Sequence, residues 1–353
     1  MGKKVAPFLE NIHTVIFDMD GVITSERNYW NAAALTVYEM LNSRNYYGKE
    51  NIKFDLSLEE IKEISHDVFS NDRLISLLKD KGINTNWDLA FVVLCSAMMI
   101  QTDTFYDIYE FWTQQHESGM EIYTFIEERL HQVTGRERKY FSRHGELWKK
   151  CQMVFQEWYL GDEVYYKTYG IQPTQPGKKG LVYFEQPIVP LEELKEILRT
   201  LSSSGIRLGI GTGRPYPEIE RPLADWDVKK YFDERAFITY TDVINAEEKL
   251  NQRGRTIKLV KPHPYVFLKA VYGKDYDDEK LLNKDYDPSV IEKALIVGDA
   301  GSDIMAAKAM NCKFAAVLTG VAGKKAKSYF EDMGADYILD SIREFIVDDD
   351  SYI

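Results

Sequence analysis

The 353-residue chain predicts an α/β protein whose parallel-sheet core is interrupted near its start by a large all-α domain. Three observations carry this. Short, mostly apolar runs closed by polar, Gly-containing turns occur once near the start and repeatedly after residue 205, the pattern of strands buried on both faces. Helical periodicity separates the later runs, and strands alternating with helices make a parallel sheet. From about residue 26 to 185, by contrast, no strand-helix-strand pattern occurs.

The predicted strands are 13–17, 206–210, 236–239, 294–297, 314–318 and 336–339, with helices near 191–203, 217–231, 264–271, 302–310 and 322–333. In the stretch 26–185 apolar residues recur at helical spacing, as in Leu74/Leu77/Leu78 and Ile122/Phe125/Ile126/Leu130. Breakers at Gly82-Ile83-Asn84, Ser118-Gly119 and Thr134-Gly135 divide it into six or seven helices. It holds 27 of the 46 aromatic residues, five of the six tryptophans among them, and these read as core rather than as a cofactor box. Residues 168–190, rich in Pro, Gly and Lys, read as a loop leading back to the sheet. The expected division is therefore a core of 1–25 and 186–353 with an inserted domain of 26–185.

Composition excludes several classes. A hydrophobic share of 44% excludes global disorder. With 44 basic against 56 acidic residues, a net charge of −12 argues against nucleic-acid or anionic-membrane partners. Cys95, Cys151 and Cys312 stand far apart without a C-x-x-C pair, which disfavours disulfides and cysteine zinc sites and suits a reducing compartment. No apolar stretch follows Met1-Gly2-Lys3-Lys4 to make a signal peptide, and Ala6 stands where myristoylation needs Ser or Thr. The longest uncharged run, Leu89 to Thr102, has 14 residues against the roughly 20 of a membrane helix, so it reads as a core helix. A cytoplasmic protein is expected; oligomeric state is left open.

Ligands of an open parallel sheet bind beyond the carboxyl ends of its strands. There the chain places Asp18-Met19-Asp20-Gly21-Val22, Gly211-Thr212-Gly213-Arg214-Pro215, Lys261-Pro262-His263-Pro264 and Gly298-Asp299-Ala300-Gly301-Ser302-Asp303. Asp18, Asp20, Asp299 and Asp303 would bring carboxylates toward one crevice, where they repel unless a cation sits among them; oxygen ligands suit Mg²⁺. Thr212 offers a hydroxyl, the Gly213 amide a donor and Lys261 a compact positive charge. Together they describe a site for a tetrahedral oxyanion beside a divalent metal, with a carboxylate nucleophile available. Each piece alone has a plain structural reading, as a polar turn, a cap or a solvated lysine. Their conjunction in order at successive strand ends is what carries weight.

That ordered set resembles the haloacid dehalogenase superfamily, in its subgroup with a helical cap inserted after the first motif, which includes β-phosphoglucomutase and phosphoglycolate phosphatase. The resemblance covers residues 13–24 and roughly 186–345, and implies a Rossmann-like core with an all-α cap domain closing over the substrate. It implies that Asp18 attacks phosphorus, that Asp20 donates and then accepts a proton, and that Thr212 and Lys261 hold the phosphoryl oxygens. It further implies Mg²⁺ bound by Asp18, the Asp20 carbonyl and Asp299, with Asp303 orienting that shell. Asp20 favours a phosphatase of a small phosphorylated metabolite or a phosphomutase over a dehalogenase, whose halide needs no proton. A non-catalytic phospho-ligand binder is the remaining alternative. Glu26, Arg27, Gly213 and Arg214 are substrate-binding candidates, although Arg214 could equally pair with a nearby carboxylate. Lys178-Lys179 reads as a solvated loop in preference to a substrate contact.

Two stretches depart from the pattern. Residues 245–256, between Val243 and Lys261, and 273–287 are charged insertions and read as surface excursions. Rival motifs fail: a dinucleotide fingerprint needs glycine where Arg214 stands, and a P-loop ending at Gly323-Lys324 would need glycine at Leu318. The six histidines lack metal-ligand spacing.

Overall fold

A computed structural model describes residues 2–83, 85–102 and 104–349. Asn84, part of an expected helix break, and Met1 lie outside the described residues. The chain divides into two compact units, Met1–Glu26 with Glu185–Ile353, and Arg27–Phe184.

The first unit is built on a six-stranded parallel sheet. Its strands are β2 (Thr14–Phe17), β3 (Arg207–Gly211), β4 (Phe237–Ile238), β5 (Ala294–Gly298), β6 (Lys313–Val317) and β7 (Tyr337–Leu339), in the order β4-β3-β2-β5-β6-β7. All six expected strands are present within a residue or two of their expected bounds, because each is a run of apolar side chains with nowhere to go but the interior. β2 is buried along its whole length, with β3 and β5 on either side. The sequence reading did not find β1 (Lys3–Val5) and β8 (Ile346–Asp348), which form a two-stranded antiparallel ribbon. Both are short and half-exposed, so they lack the apolar run that marks the others.

Helices differ more. Leu191–Ser203 and Gly301–Ala309 match closely, but the stretch expected as 217–231 ends as an α-helix at Asp225 and resumes as a 3₁₀ turn at Lys229–Tyr231. The stretch 322–333 is likewise a 3₁₀ turn at Gly323–Ala326 followed by Lys327–Asp332. The two charged insertions are largely at the surface, as expected, but each also sends side chains inward. The first lies largely in the helix Tyr240–Gln252, which buries Val243, Ala246, Glu247 and Leu250. The second supplies the buried Leu281 and the half-buried Asp278, whose carboxylate accepts from Tyr265 Oη at 2.7 Å and Lys269 Nζ at 2.6 Å. Charge density hid these contributions, since a helix with one apolar face still reads as charged overall.

The second unit has seven α-helices among the described residues: Arg27–Asn42, Leu58–Val68, Arg73–Asp80, Asn86–Ile100, Phe105–Gln114, Met120–Thr134 and Glu146–Tyr169. Asn86–Ile100, which contains most of the uncharged run, is buried along almost its whole length. Rings including Trp112, Phe155 and Tyr159 fill the core around it. No single helix among the described residues is long and apolar enough to cross a membrane.

Candidate active site

The register of the central strands brings the site together. Phe17 pairs with Ile210 on one side and Val297 on the other, so the residues that follow, Asp18, Thr212 and Asp299, leave the sheet at one edge. Asp18 donates its backbone N–H to the Val297 carbonyl at 2.9 Å, which holds the turn against β5. The carboxylates of Asp18, Asp299 and Asp303 each place an oxygen within 4.8 Å of the others. Lys261 Nζ lies 3.0 Å from Asp18 and 2.8 Å from Asp303. It also sits 4.5 Å from the ring centroid of Phe267, on the helix Tyr265–Tyr272, so the ring walls one side of the ammonium.

Asp303 is in the first turn of the helix Gly301–Ala309 and is fully buried; a side chain on Gly298 would collide with it. Asp299 is held in a cradle of two glycines. A Cβ on Gly21 or on Gly320 would fall inside 3.0 Å of its carboxylate, and Gly21 also takes a positive φ of 67° that other residues adopt at a cost. The Thr319 hydroxyl donates to the Gly21 carbonyl and ties the end of β6 to the first turn. Thr319-Gly320 was missed in the sequence. Its signal, a polar Gly-containing turn directly after an apolar run, is the same one that marked the other strand ends.

Electrostatics follow from this crowding. Burial pushes Asp18 up to about 7, with Lys261 opposing and Asp303 and Asp20 adding. Burial, then Asp303, Asp18 and, further down, Glu26, hold Asp299 well above the carboxylate range. Burial works against the Lys261 charge, but Asp18 and Asp303 outweigh it and keep its ammonium above the usual lysine range. Three carboxylates thus face one ammonium, an imbalance that a dication would correct. Their oxygen donors, converging on a half-buried spot, fit Mg²⁺.

The other candidates are placed differently. The Asp20 carboxylate is not in the cluster; Arg214 grips it, with Nε 3.1 Å from both oxygens and Nη2 bonded to Oδ1. Arg214 is itself buried and reaches Glu185 with Nη1 at 3.3 Å. The carboxylate pairing open in the sequence is thus present, with two partners. Thr212 is buried, and its hydroxyl accepts from the Arg214 N–H at 3.2 Å. Beside it Gly213 is exposed, and a Cβ there would meet nothing within 4 Å.

In the helical unit, Arg27 forks onto Asp72 at 2.8 and 2.9 Å. Lys178 corrects the solvated-loop reading, for it is fully buried, 2.5 Å from Glu157 and 3.1 Å from Glu39. Only Lys179 of that pair is exposed, where it meets Asp55 at 2.6 Å.

A family model described as haloacid dehalogenase-like hydrolase matches residues 12–311. Among solved structures, a structural-genomics target is 29% identical over 94% of this chain and 97% of its own, with a TM-score of 0.79. A phosphatase from Thermococcus thioreducens is 18% identical over 85% and 90%, with a TM-score of 0.48. A putative β-phosphoglucomutase from Thermotoga maritima is 16% identical over 95% and 96%, with a TM-score of 0.41. No curated protein matches the chain.

Proposed function

As the chain belongs to the haloacid dehalogenase-like hydrolases, we propose that it is a Mg²⁺-dependent phosphatase of a small phosphorylated metabolite, acting through an aspartyl-phosphate. The observation that supports this most is the meeting of Asp18, Asp299 and Asp303 with Lys261 at the strand ends, with the acid Asp20 two residues beyond Asp18.

Asp18, Asp299 and Asp303 would hold Mg²⁺, with the Asp20 carbonyl as a further ligand. When bound, the ion neutralises charge on the phosphoryl oxygens and so lets an anionic nucleophile approach. A carboxylate oxygen of Asp18 attacks phosphorus as the P–O bond to the leaving group breaks, and Asp20 gives a proton to the leaving-group oxygen. Water then attacks the aspartyl-phosphate, losing its proton to Asp20, and Asp18 is regenerated as phosphate departs. Lys261 and the Gly213 amide hold the phosphoryl oxygens, with Thr212 beside them.

The test is a Mg²⁺-supplemented screen of phosphorylated metabolites that measures phosphate release. Turnover should fall at least about a thousandfold in Asp18→Asn, the scale of losing a nucleophile. A product that is an isomer of the substrate, without phosphate release, would identify a phosphomutase instead. Inertness toward every phosphoester would refute the enzyme.

A further inference from the structure

The phosphatase reading leaves a buried charge beside Asp20 without a task. Arg214 follows Thr212 by two residues, its guanidinium lies between Asp20 and Glu185, and no step above uses it. A buried arginine is costly unless its donors are met, and here they are met from both sides: Nε and Nη2 face Asp20 while Nη1 faces Glu185. The Asp20 side chain is partly exposed, whereas those of Arg214 and Glu185 are almost completely buried. The solvent-accessible partner is therefore the acid, and the buried ones hold it.

A second feature makes this hold local to the reaction. The Arg214 N–H donates to the Thr212 hydroxyl at 3.2 Å, so the backbone that presents Thr212 also anchors the arginine. Glu185 neutralises the end of the guanidinium that Asp20 does not use. Without it, the planar fork would carry an unmatched charge and could turn away from Asp20.

We infer that Arg214 and Glu185 are positioning residues that aim the Asp20 carboxyl for proton transfer, Arg214 by forking onto it and Glu185 by fixing Arg214. The inference rests on the phosphatase reading, because it assumes that Asp20 moves the proton. Neither residue is a catalytic residue in this account: both act through Asp20 and bind no substrate.

The experiment is steady-state kinetics on the best phosphomonoester from the screen, using Arg214→Gln, Arg214→Lys and Glu185→Gln alone and each combined with Asp20→Asn. Thermal melts accompany each variant. Arg214→Gln should lower kcat about 10–100-fold, within the range of general acid–base contributions, and leave KM within about twofold. Arg214→Lys keeps the charge and is the variant that serves if Arg214→Gln does not fold. It should still lose about tenfold in kcat, since an ammonium lacks the planar fork that meets both Asp20 oxygens at once. Glu185→Gln should lose about 2–10-fold.

In the Asp20→Asn background each of these losses should shrink to less than about twofold, because there is no longer a proton donor to aim. Equal losses with and without Asp20 would reduce Arg214 to a purely structural role and overturn the inference. A raised KM with kcat intact would do the same, by making Arg214 a substrate ligand. An active enzyme insensitive to all three variants sinks this inference alone, whereas a chain inert toward every phosphoester sinks the phosphatase reading with it.

Discussion

In the α/β unit Asp18, Asp299 and Asp303 gather beside Lys261; in the helical unit Glu39 and Glu157 gather around Lys178. Both clusters bury more carboxylates than ammoniums, yet they are built for opposite ends. Around Lys178 the surplus is closed in. Glu157 accepts the Thr174 N–H at 2.6 Å, and the rings of Phe54 and Trp158 stand 5.0 and 5.3 Å from the ammonium. Gly161 and Gly180 let the two backbones approach too closely for any side chain, which carries Lys178 into the interior. Burial pushes Glu39 up to about 7, with Lys178 opposing, so a proton is available to settle the excess. At the strand ends the surplus is larger, Asp299 keeps partial access to solvent, and the oxygens converge on one point. A proton cannot bridge three carboxylates; a divalent cation can. The lesson is that a buried lysine among acids does not by itself mark a reactive site; convergence of the acids with solvent access is what sets the proposed site apart.

The contrast can be broken first at Lys178. Lys178→Met leaves two buried carboxylates without their cation and should cost about 3–5 kcal/mol of stability, read by chemical denaturation, with the Mg²⁺ response of the folded protein preserved. A loss below about 1 kcal/mol would mean that the triad is not a structural element.

Mg²⁺ itself should raise the melting temperature, by the equivalent of about 2.7 kcal/mol at a hundredfold excess over its dissociation constant. Asp299→Asn should abolish that rise, while Glu39→Gln should keep it. Gly320→Ala sharpens the same point. Its new methyl group displaces the Asp299 carboxylate, so it should cost about 1–3 kcal/mol by overpacking and remove the Mg²⁺ response as well, even though no ligand is replaced.

The smallest effect concerns pH. A carboxyl whose folded value lies above its unfolded value binds a proton more readily when folded, so its contribution is complete below about 4.5 and fades as pH rises through about 7. Glu39→Gln should flatten that dependence and be more stable than the parent at pH 8, on the order of 1 kcal/mol, as calorimetry at pH 5.5 and 8 would record.

Much of this protein is local enough to read in the chain. Each sheet strand is a run of two to five residues inside a short apolar stretch that announces itself without knowledge of its neighbours. Asp18 and Asp299 stand directly after such runs, and Asp303 in the first turn of the helix that follows. The helical stretch showed itself by period and by its breakers. What escaped were features whose meaning depends on a distant partner. Arg214 and Asp20 lie 194 positions apart, and nothing near either says that they meet. Lys178 sits in a Pro- and Gly-rich stretch that resembles any solvated loop, and its burial is set by Glu39, 139 positions away. The ribbon of β1 and β8 joins residues 345 positions apart through strands too short to signal themselves.

The amino-acid order by itself thus determined the sheet, the place of the helical insertion and the family of strand-end residues, because hydrophobic period and turn chemistry are properties of neighbouring residues. Tertiary structure alone decided which charges are shared: that Asp20 answers to Arg214, that Glu185 balances it, and that one lysine-centred cluster is sealed while the other keeps partial access to solvent. Charge pairing depends on distance in space and on the water excluded around it, and neither is written in the spacing of residues along a chain.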